Sequence, residues 1–313
     1  MTAETRHKAD ILRAADGHEI NLQSWAPAGD TVAVIQVLHG MGEHSGRYAR
    51  FAAAACARGY AVCAHDHRGH GPQAPTPRHF SDRGGWQALI DDTRLVREYA
   101  GDRFVDRPIV LLGHSMGSFI AQAWAMRYGN HLHGLLLSGS TWPSQAQAVA
   151  AALLARMLAW RHGQRGHSPL LDKLGFADFN RAFRPARTDF DWLSRDEAEV
   201  DKYVADPLCG GPYSCGLWVD LLSGLREIGR DTALNRIPTA LPILISGGAA
   251  DPVGGDRGMT KLATHYAQTG HGRLTVKIYP QGRHEMLNET SRDAVTRDWL
   301  DWIGTTTRSG RPG

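Results

Sequence analysis

The sequence predicts an α/β protein: a mostly parallel sheet flanked by helices and interrupted by a helical insertion. Three observations carry this. Near-continuous apolar runs at 32–38, 60–65, 109–112, 132–138 and 241–247 are what parallel strands covered on both faces look like. Stretches with helical spacing alternate with these runs. From Thr141 the alternation stops, and it resumes only near 241.

The elements follow in order. Residues 8–15 and 18–26 read as two strands joined at Asp16-Gly17, a strong hairpin signal. The run VAVIQVL at 32–38 ends in His39-Gly40-Met41-Gly42-Glu43-His44, and a helix follows at about 46–58, closing at Gly59. The strand at 60–65 ends in Asp66-His67-Arg68-Gly69-His70-Gly71, where Asp66 and Arg68 read as a local ion pair bracing the loop. A Pro-rich loop spans 72–77 and an amphipathic helix 86–103. Residues 108–129, PIVLLGHSMGSFIAQAWAMRYG, switch from a β-leaning run to helical spacing at Ser115, with Gly129-Asn130 as the stop. A strand at 132–138 completes the first block.

Helical patterns cover 144–162, about 169–182, part of 191–205 and about 217–229. The sheet resumes with strands at 241–247 and 273–279, separated by a helix at 256–269 and followed by one at about 289–303. The tail from Gly304 to Gly313 is polar and expected to be disordered. The expected organisation is a core over 1–140 and 236–313, with a helical cap over 141–235 lying on the carboxyl edge of the strands. Ligands of such sheets bind at that edge.

The chain has 313 residues, 42% hydrophobic and 21% charged, which suffices for a large core. A net charge of +3 does not indicate a nucleic-acid partner. The four cysteines form no C-x-x-C pair, and no His/Cys cluster has zinc spacing, so neither metal nor organic cofactor is expected. Cys56 and Cys63 read as buried thiols; a Cys209–Cys215 bridge is the alternative to a free pair. The N-terminal MTAETRHKAD has no apolar signal region, and a reducing, cytoplasmic location is expected.

Gly113-His114-Ser115-Met116-Gly117 matches G-x-S-x-G at a strand-to-helix corner, the nucleophile elbow. A serine hydroxyl needs a base, and the base an acid to hold it. The chain order Ser, Asp, His is met by Asp251, just past strand 241–247, and His284, just past strand 273–279. His39, His65, His67 and His70 precede the serine and read as loop contacts. His114 is expected to point away from the nucleophile, and His265 and His271 to be exposed. Asp256 falls inside the next helix, and Glu285 is a surface charge or a contact behind His284. The oxyanion donors expected are the backbone N–H groups of Met116 and Met41, with Gly42 as the alternative to Met41.

The segments HGMGEHSGRY at 39–48, DHRGHG at 66–71, GHSMGS at 113–118, DPLC at 206–209, GGAADPVG at 247–254 and GRHEMLNE at 282–289 run in order over nearly the whole chain. With them the sequence resembles the α/β-hydrolase family of monoacylglycerol lipases and bacterial lysophospholipases, a group also labelled serine aminopeptidases. The resemblance implies an eight-stranded sheet, a mobile helical cap, the triad Ser115, Asp251 and His284, and oxyanion donors Met41 and Met116. It implies a serine esterase for monoacylglycerols, lysophospholipids or similar single-chain esters, and transient contact of the cap with lipid.

Leu153, Leu154, Met157, Leu158 and Trp160 are expected either to pack the cap onto the core or to meet an acyl chain. Arg156, Arg161 and Arg165, with His162 and His167, read as a solvated basic loop or a phosphate-binding one. An amidase, an aminopeptidase or a perhydrolase would use the same triad. An aminopeptidase would need acids for the substrate amine, for which Asp196, Glu197 and Glu199 are candidates that read better as an exposed helix face. A non-catalytic binding protein on the same scaffold is argued against by the intact set of three.

Overall fold

The computed structural model describes residues 5–176, 178–230 and 232–308. One eight-stranded sheet has the order β1-β2-β4-β3-β5-β6-β7-β8. The hairpin β1 (Thr5–Arg13) and β2 (Glu19–Pro27) is antiparallel, as its turn predicts, and β2 runs antiparallel to β4. The remaining strands are parallel: β3 (Ala33–Leu38), β4 (Tyr60–His65), β5 (Ile109–His114), β6 (Gly134–Ser138), β7 (Ile243–Gly248) and β8 (Leu274–Tyr279).

Alternate residues of the central strands feed two separate apolar layers, because successive side chains of a strand point to opposite faces. Val34, Ile109, Leu111, Leu135 and Ile245 pack with helices α2 (Gly85–Arg103), α3 (Met116–Tyr128) and α8 (Gly255–Gln268). Ile35, Val37, Val110, Leu112 and Leu244 pack with α1 (Ala49–Cys56) and α9 (Arg292–Arg308). Trp299 of α9 is fully buried, and its indole N–H donates to Ser246 Oγ at 2.9 Å.

Between β6 and β7 the described residues contain helices α4 (Gln145–His162), α5 (Pro169–Phe176), α6 (Glu197–Ala205) and α7 (Cys215–Ile228). The strand-free insertion is thus as expected, with differences at its elements. The pattern at 169–182 ends its α-helix at Phe176. Asn180 instead donates to Thr188 O and accepts from Trp192 N, closing a local turn. Leu153, Met157 and Trp160 face solvent rather than the core, Trp160 at 87% exposure, while Leu158 is buried.

Other expectations are corrected. Helix α9 continues to Arg308 because Ile303, Gly304 and Thr306 are buried against the sheet; residues 309–313 lie outside the described residues. All four cysteines are free, so there is no Cys209–Cys215 bridge, and Cys56 and Cys63 are buried as expected. His271 is buried rather than exposed, with Nδ1 in reach of Tyr266 O, and His265 stacks on Trp142. Asp66 and Arg68 do not pair. Asp66 accepts from Asn21 Nδ2 at 2.6 Å and Ser45 N at 2.7 Å, while Arg68 joins Asp92 of α2 to Asp16 of the hairpin turn.

Burial pushes the Asp92 carboxyl above its ordinary range even though Arg68 lies beside it. Arg68→Met should therefore cost about 3–5 kcal/mol in urea unfolding, since a buried carboxylate loses its partner. Arg68→Met with Asp92→Leu should recover most of that loss. A single variant as stable as the parent would contradict this account of the loop.

Candidate active site

The elbow is built by close backbone approach. Ser115 has φ 52° and ψ −121°, between β5 and α3. A non-glycine residue at positive φ costs of order 1–3 kcal/mol and persists only where its surroundings over-determine it. Those surroundings are present. A Cβ on Gly113 would strike Gly117 O, and one on Gly117 would strike Leu38 O, so β5, α3 and β3 meet without side chains between them. Ser115 N donates to Ser138 O at 2.8 Å, and Ser118 Oγ donates to Ser115 O at 2.6 Å.

The loops after β7 and β8 are stitched together. Ala249 N donates to Tyr279 O and Ala250 N to Gly282 O. A Cβ on Gly248 would hit Gly282 O. This places Asp251 Oδ1 2.9 Å from His284 Nδ1, with both side chains buried. Asp251 Oδ1 also accepts from Val253 N at 2.8 Å. Asp256 lies exposed in the first turn of α8, outside this contact.

Burial disfavours a charged His284. The charge and hydrogen bond of Asp251, followed by the charges of Glu285 and Glu43, outweigh it and hold the imidazole above its ordinary value. His114 packs its ring 4.7 Å from that of His284 and is pushed down to about 4 by burial and by its neighbour. A Cβ on Gly40 would contact both Ser115 Cβ and His114, so the three residues share one edge. Among the described residues no hydrogen bond joins the Ser115 hydroxyl to His284.

The loop after β3 has the amides on either side of Met41 engaged. Gly40 N donates to Glu43 Oε1 at 2.6 Å, and Gly42 N donates to His70 Nε2 at 3.1 Å. Among the described residues Met41 N–H has no partner, and neither has Met116 N–H at the first position of α3, where a helix leaves its amides open. His39 holds the same loop: Nδ1–H donates to Gly40 O and Nε2 accepts from His67 N. His65 and His67 are fully buried; their rings pack on each other, that of His67 also on His39, and their ring nitrogens are without hydrogen-bond partners among the described residues, rather than making polar loop contacts.

Two cavities meet at Met41 and Phe176. One of about 590 Å³ reaches Ser115 and Met116 and is walled by Phe119, Trp142, Trp218, Leu221 and Leu225. The other, about 870 Å³, is bordered by Asp172, Lys173, Asn180, Arg184 and Thr188. Of the acids weighed as amine anchors, Asp196 caps α6 and pairs with Arg292, and Glu199 is buried against Arg50 and Lys202 rather than exposed. Arg165 pairs with Asp82 and His167 with Asp172, while Arg156, Arg161 and His162 are exposed.

Sequence reading missed the ion pairs behind His284. Arg47 bridges Glu43 and Glu285. The signal was present as opposite charges in HGMGEHSGRY and GRHEMLNE, but nothing local shows that the two segments meet. Missed too was Trp192, whose ring lies 5.0 Å from that of His284.

The sheet order, the strained serine after β5 and the Asp–His pair beyond β7 and β8 define an α/β-hydrolase. The chain belongs to the family described as serine aminopeptidase, S33, whose profile matches residues 29–291. It is 31% identical to the monoglyceride lipase of Mus musculus over 92% of this chain and 88% of that protein. It is 28% identical to the monoacylglycerol lipase of Mycolicibacterium smegmatis over 97% and 99%. Among solved structures, a thermostable carboxyl esterase from Bacillus coagulans in complex with glycerol matches with a TM-score of 0.89 at 26% identity, covering 96% of this chain and 99% of that one.

The His284 ring should titrate above the ordinary imidazole value of about 6.5. Asp251→Asn removes the largest influence opposing burial, and the midpoint should fall. Ring-proton NMR against pH checks both; a midpoint unmoved by the substitution would remove Asp251 as its partner.

Proposed function

We propose that this chain is a serine carboxylic ester hydrolase acting on monoacylglycerols, lysophospholipids or similar single-chain acyl esters through an acyl-enzyme. The observation that carries the reading is the buried Asp251–His284 pair on the same sheet edge as the strained Ser115, beside two unengaged backbone N–H groups. The relatives described as monoglyceride lipases and the carboxyl esterase neighbour support the ester class.

In this reading Ser115 Oγ bonds to the acyl carbon as its proton passes to His284 Nε2. The oxyanion accepts from Met41 N–H and Met116 N–H. The intermediate collapses, and His284 returns the proton to the leaving alcohol. Water then repeats the sequence and frees the acid. Hydrogen bonds between nucleophile and base often tighten only once substrate is bound, so the unbonded Ser115 is compatible with this role. The apolar cavity receives the acyl chain and the polar one the alcohol. Residues 141–235 act as the cap over both. An aminopeptidase is less well supported, because Asp196 and Glu199 are already paired.

The exposed Leu153, Met157 and Trp160 follow one another at helical spacing on α4 with Arg156 and Arg161 among them, a surface suited to resting on lipid. No helix among the described residues is long and apolar enough to cross a membrane.

A p-nitrophenyl ester chain-length series, extended to monoacylglycerol and lysophosphatidylcholine, tests the reading. Ser115→Ala should lose about 10⁴-fold or more in kcat. Activity should fall as pH drops through the raised value of His284. Substituting serine at 153, 157 and 160 should slow hydrolysis of vesicle-borne monoacylglycerol while sparing soluble short esters. Retained activity in Ser115→Ala, or preference for aminoacyl amides, would overturn the proposal.

A further inference from the structure

Behind the site lies a buried chain of three charges. Arg47 Nη1 reaches Glu43 Oε2 at 3.0 Å and Glu285 Oε1 at 2.5 Å, and Nη2 reaches Glu285 Oε2 at 2.7 Å. The three side chains are 12%, 5% and 7% exposed. Glu43 belongs to the loop after β3, and its other oxygen takes Gly40 N–H and Tyr48 O–H. Glu285 follows His284 directly, and Asn288 Nδ2 donates to it at 2.9 Å. The guanidinium lies 5.0 Å from the ring centre of Tyr203 in α6.

We infer that Glu43, Arg47 and Glu285 are positioning residues. They lock the loop carrying Met41 to the loop carrying His284, and they place net negative charge beside the imidazole. The inference rests on the triad and oxyanion donors proposed above. Glu43 acts by occupying Gly40 N–H. With His70 occupying Gly42 N–H, the amides on both sides of Met41 are held in place, which fixes the direction of Met41 N–H between them. Arg47 fixes that carboxylate relative to Glu285, whose own N–H donates to Leu193 O at 2.8 Å. A planar guanidinium with a bidentate carboxylate holds orientation as well as distance.

The charge argument concerns everything that faces His284. Asp251 comes from the loop after β7, Glu285 from its own loop and Glu43 from the loop after β3. His114 comes from the end of β5 and the uncharged Trp192 from the segment before α6. Two carboxylates around one guanidinium leave an excess of negative charge, which favours imidazolium. Arg47, together with the hydrogen bond from Gly40 N, keeps Glu43 ionised despite burial.

The test is a set of kcat/KM pH profiles with kcat and KM resolved, run on Glu285→Gln, Glu43→Ala and Glu43→Gln beside Ser115→Ala. Glu285→Gln should move the acid limb to lower pH by about half a unit or more, the sign expected when a nearby negative charge is removed. Glu43→Ala should lower kcat about 10²-fold, the scale of a lost oxyanion donor, with KM changed less than about twofold. Glu43→Gln, which keeps an acceptor for Gly40 N–H, should recover much of that loss. If Glu43→Ala does not fold, the limb of Glu285→Gln and the kcat of Glu43→Gln decide. An unmoved limb, or a loss confined to KM, would overturn the inference while an inactive Ser115→Ala left the catalytic reading standing. An active Ser115→Ala would instead remove the reading beneath it.

Discussion

Ser115 sits at a backbone angle that its side chain disfavours, and much of the molecule is arranged to keep it there. The strain is borne where three elements converge without side chains, at Gly113, Gly117 and the end of β3. A substitution at either glycine would drive the helix off the sheet before it altered any reactive group. The continuous apolar runs of β3, β5 and β6 serve the same end. Strands buried on both faces give a stiff platform, and loops leaving its edge inherit that stiffness.

The second organising fact is electrostatic. The edge gathers Asp251, Glu43 and Glu285 around one imidazole, opposed by Arg47. Buried charge is tolerated here because each carboxylate is hydrogen-bonded as well as paired. A second ion cluster, Asp16–Arg68–Asp92, secures the hairpin to α2 away from the site. In both cases a partner lies far away in sequence: Glu285 from Arg47, and Asp16 from Arg68.

That distance explains what could be read in advance. Strand boundaries in the middle of the sheet were legible because two-sided burial writes itself as an unbroken apolar run, as in 33–38 and 60–65. Asp251 and His284 were legible because a parallel sheet puts the loops after β7 and β8 at one edge. Pairings were not. Asp66 and Arg68 looked like partners by proximity in the chain, yet each found a better acceptor or donor across the fold. The end of α9 was hidden because Gly304 and Thr306 carry no apolar signal, although both are buried. The outward face of α4 was left open between core packing and an acyl chain, because apolar side chains alone do not say which surface they meet.

The central claim is that Ser115 becomes acylated. Rapid quenching of the enzyme with a p-nitrophenyl ester in acid, followed by peptide mass analysis, measures this directly. The account predicts a burst of nitrophenol equal to the enzyme present and an acyl mass on the peptide carrying Ser115. Steady hydrolysis with no burst and no adduct on that peptide, or an adduct on another residue, would contradict it.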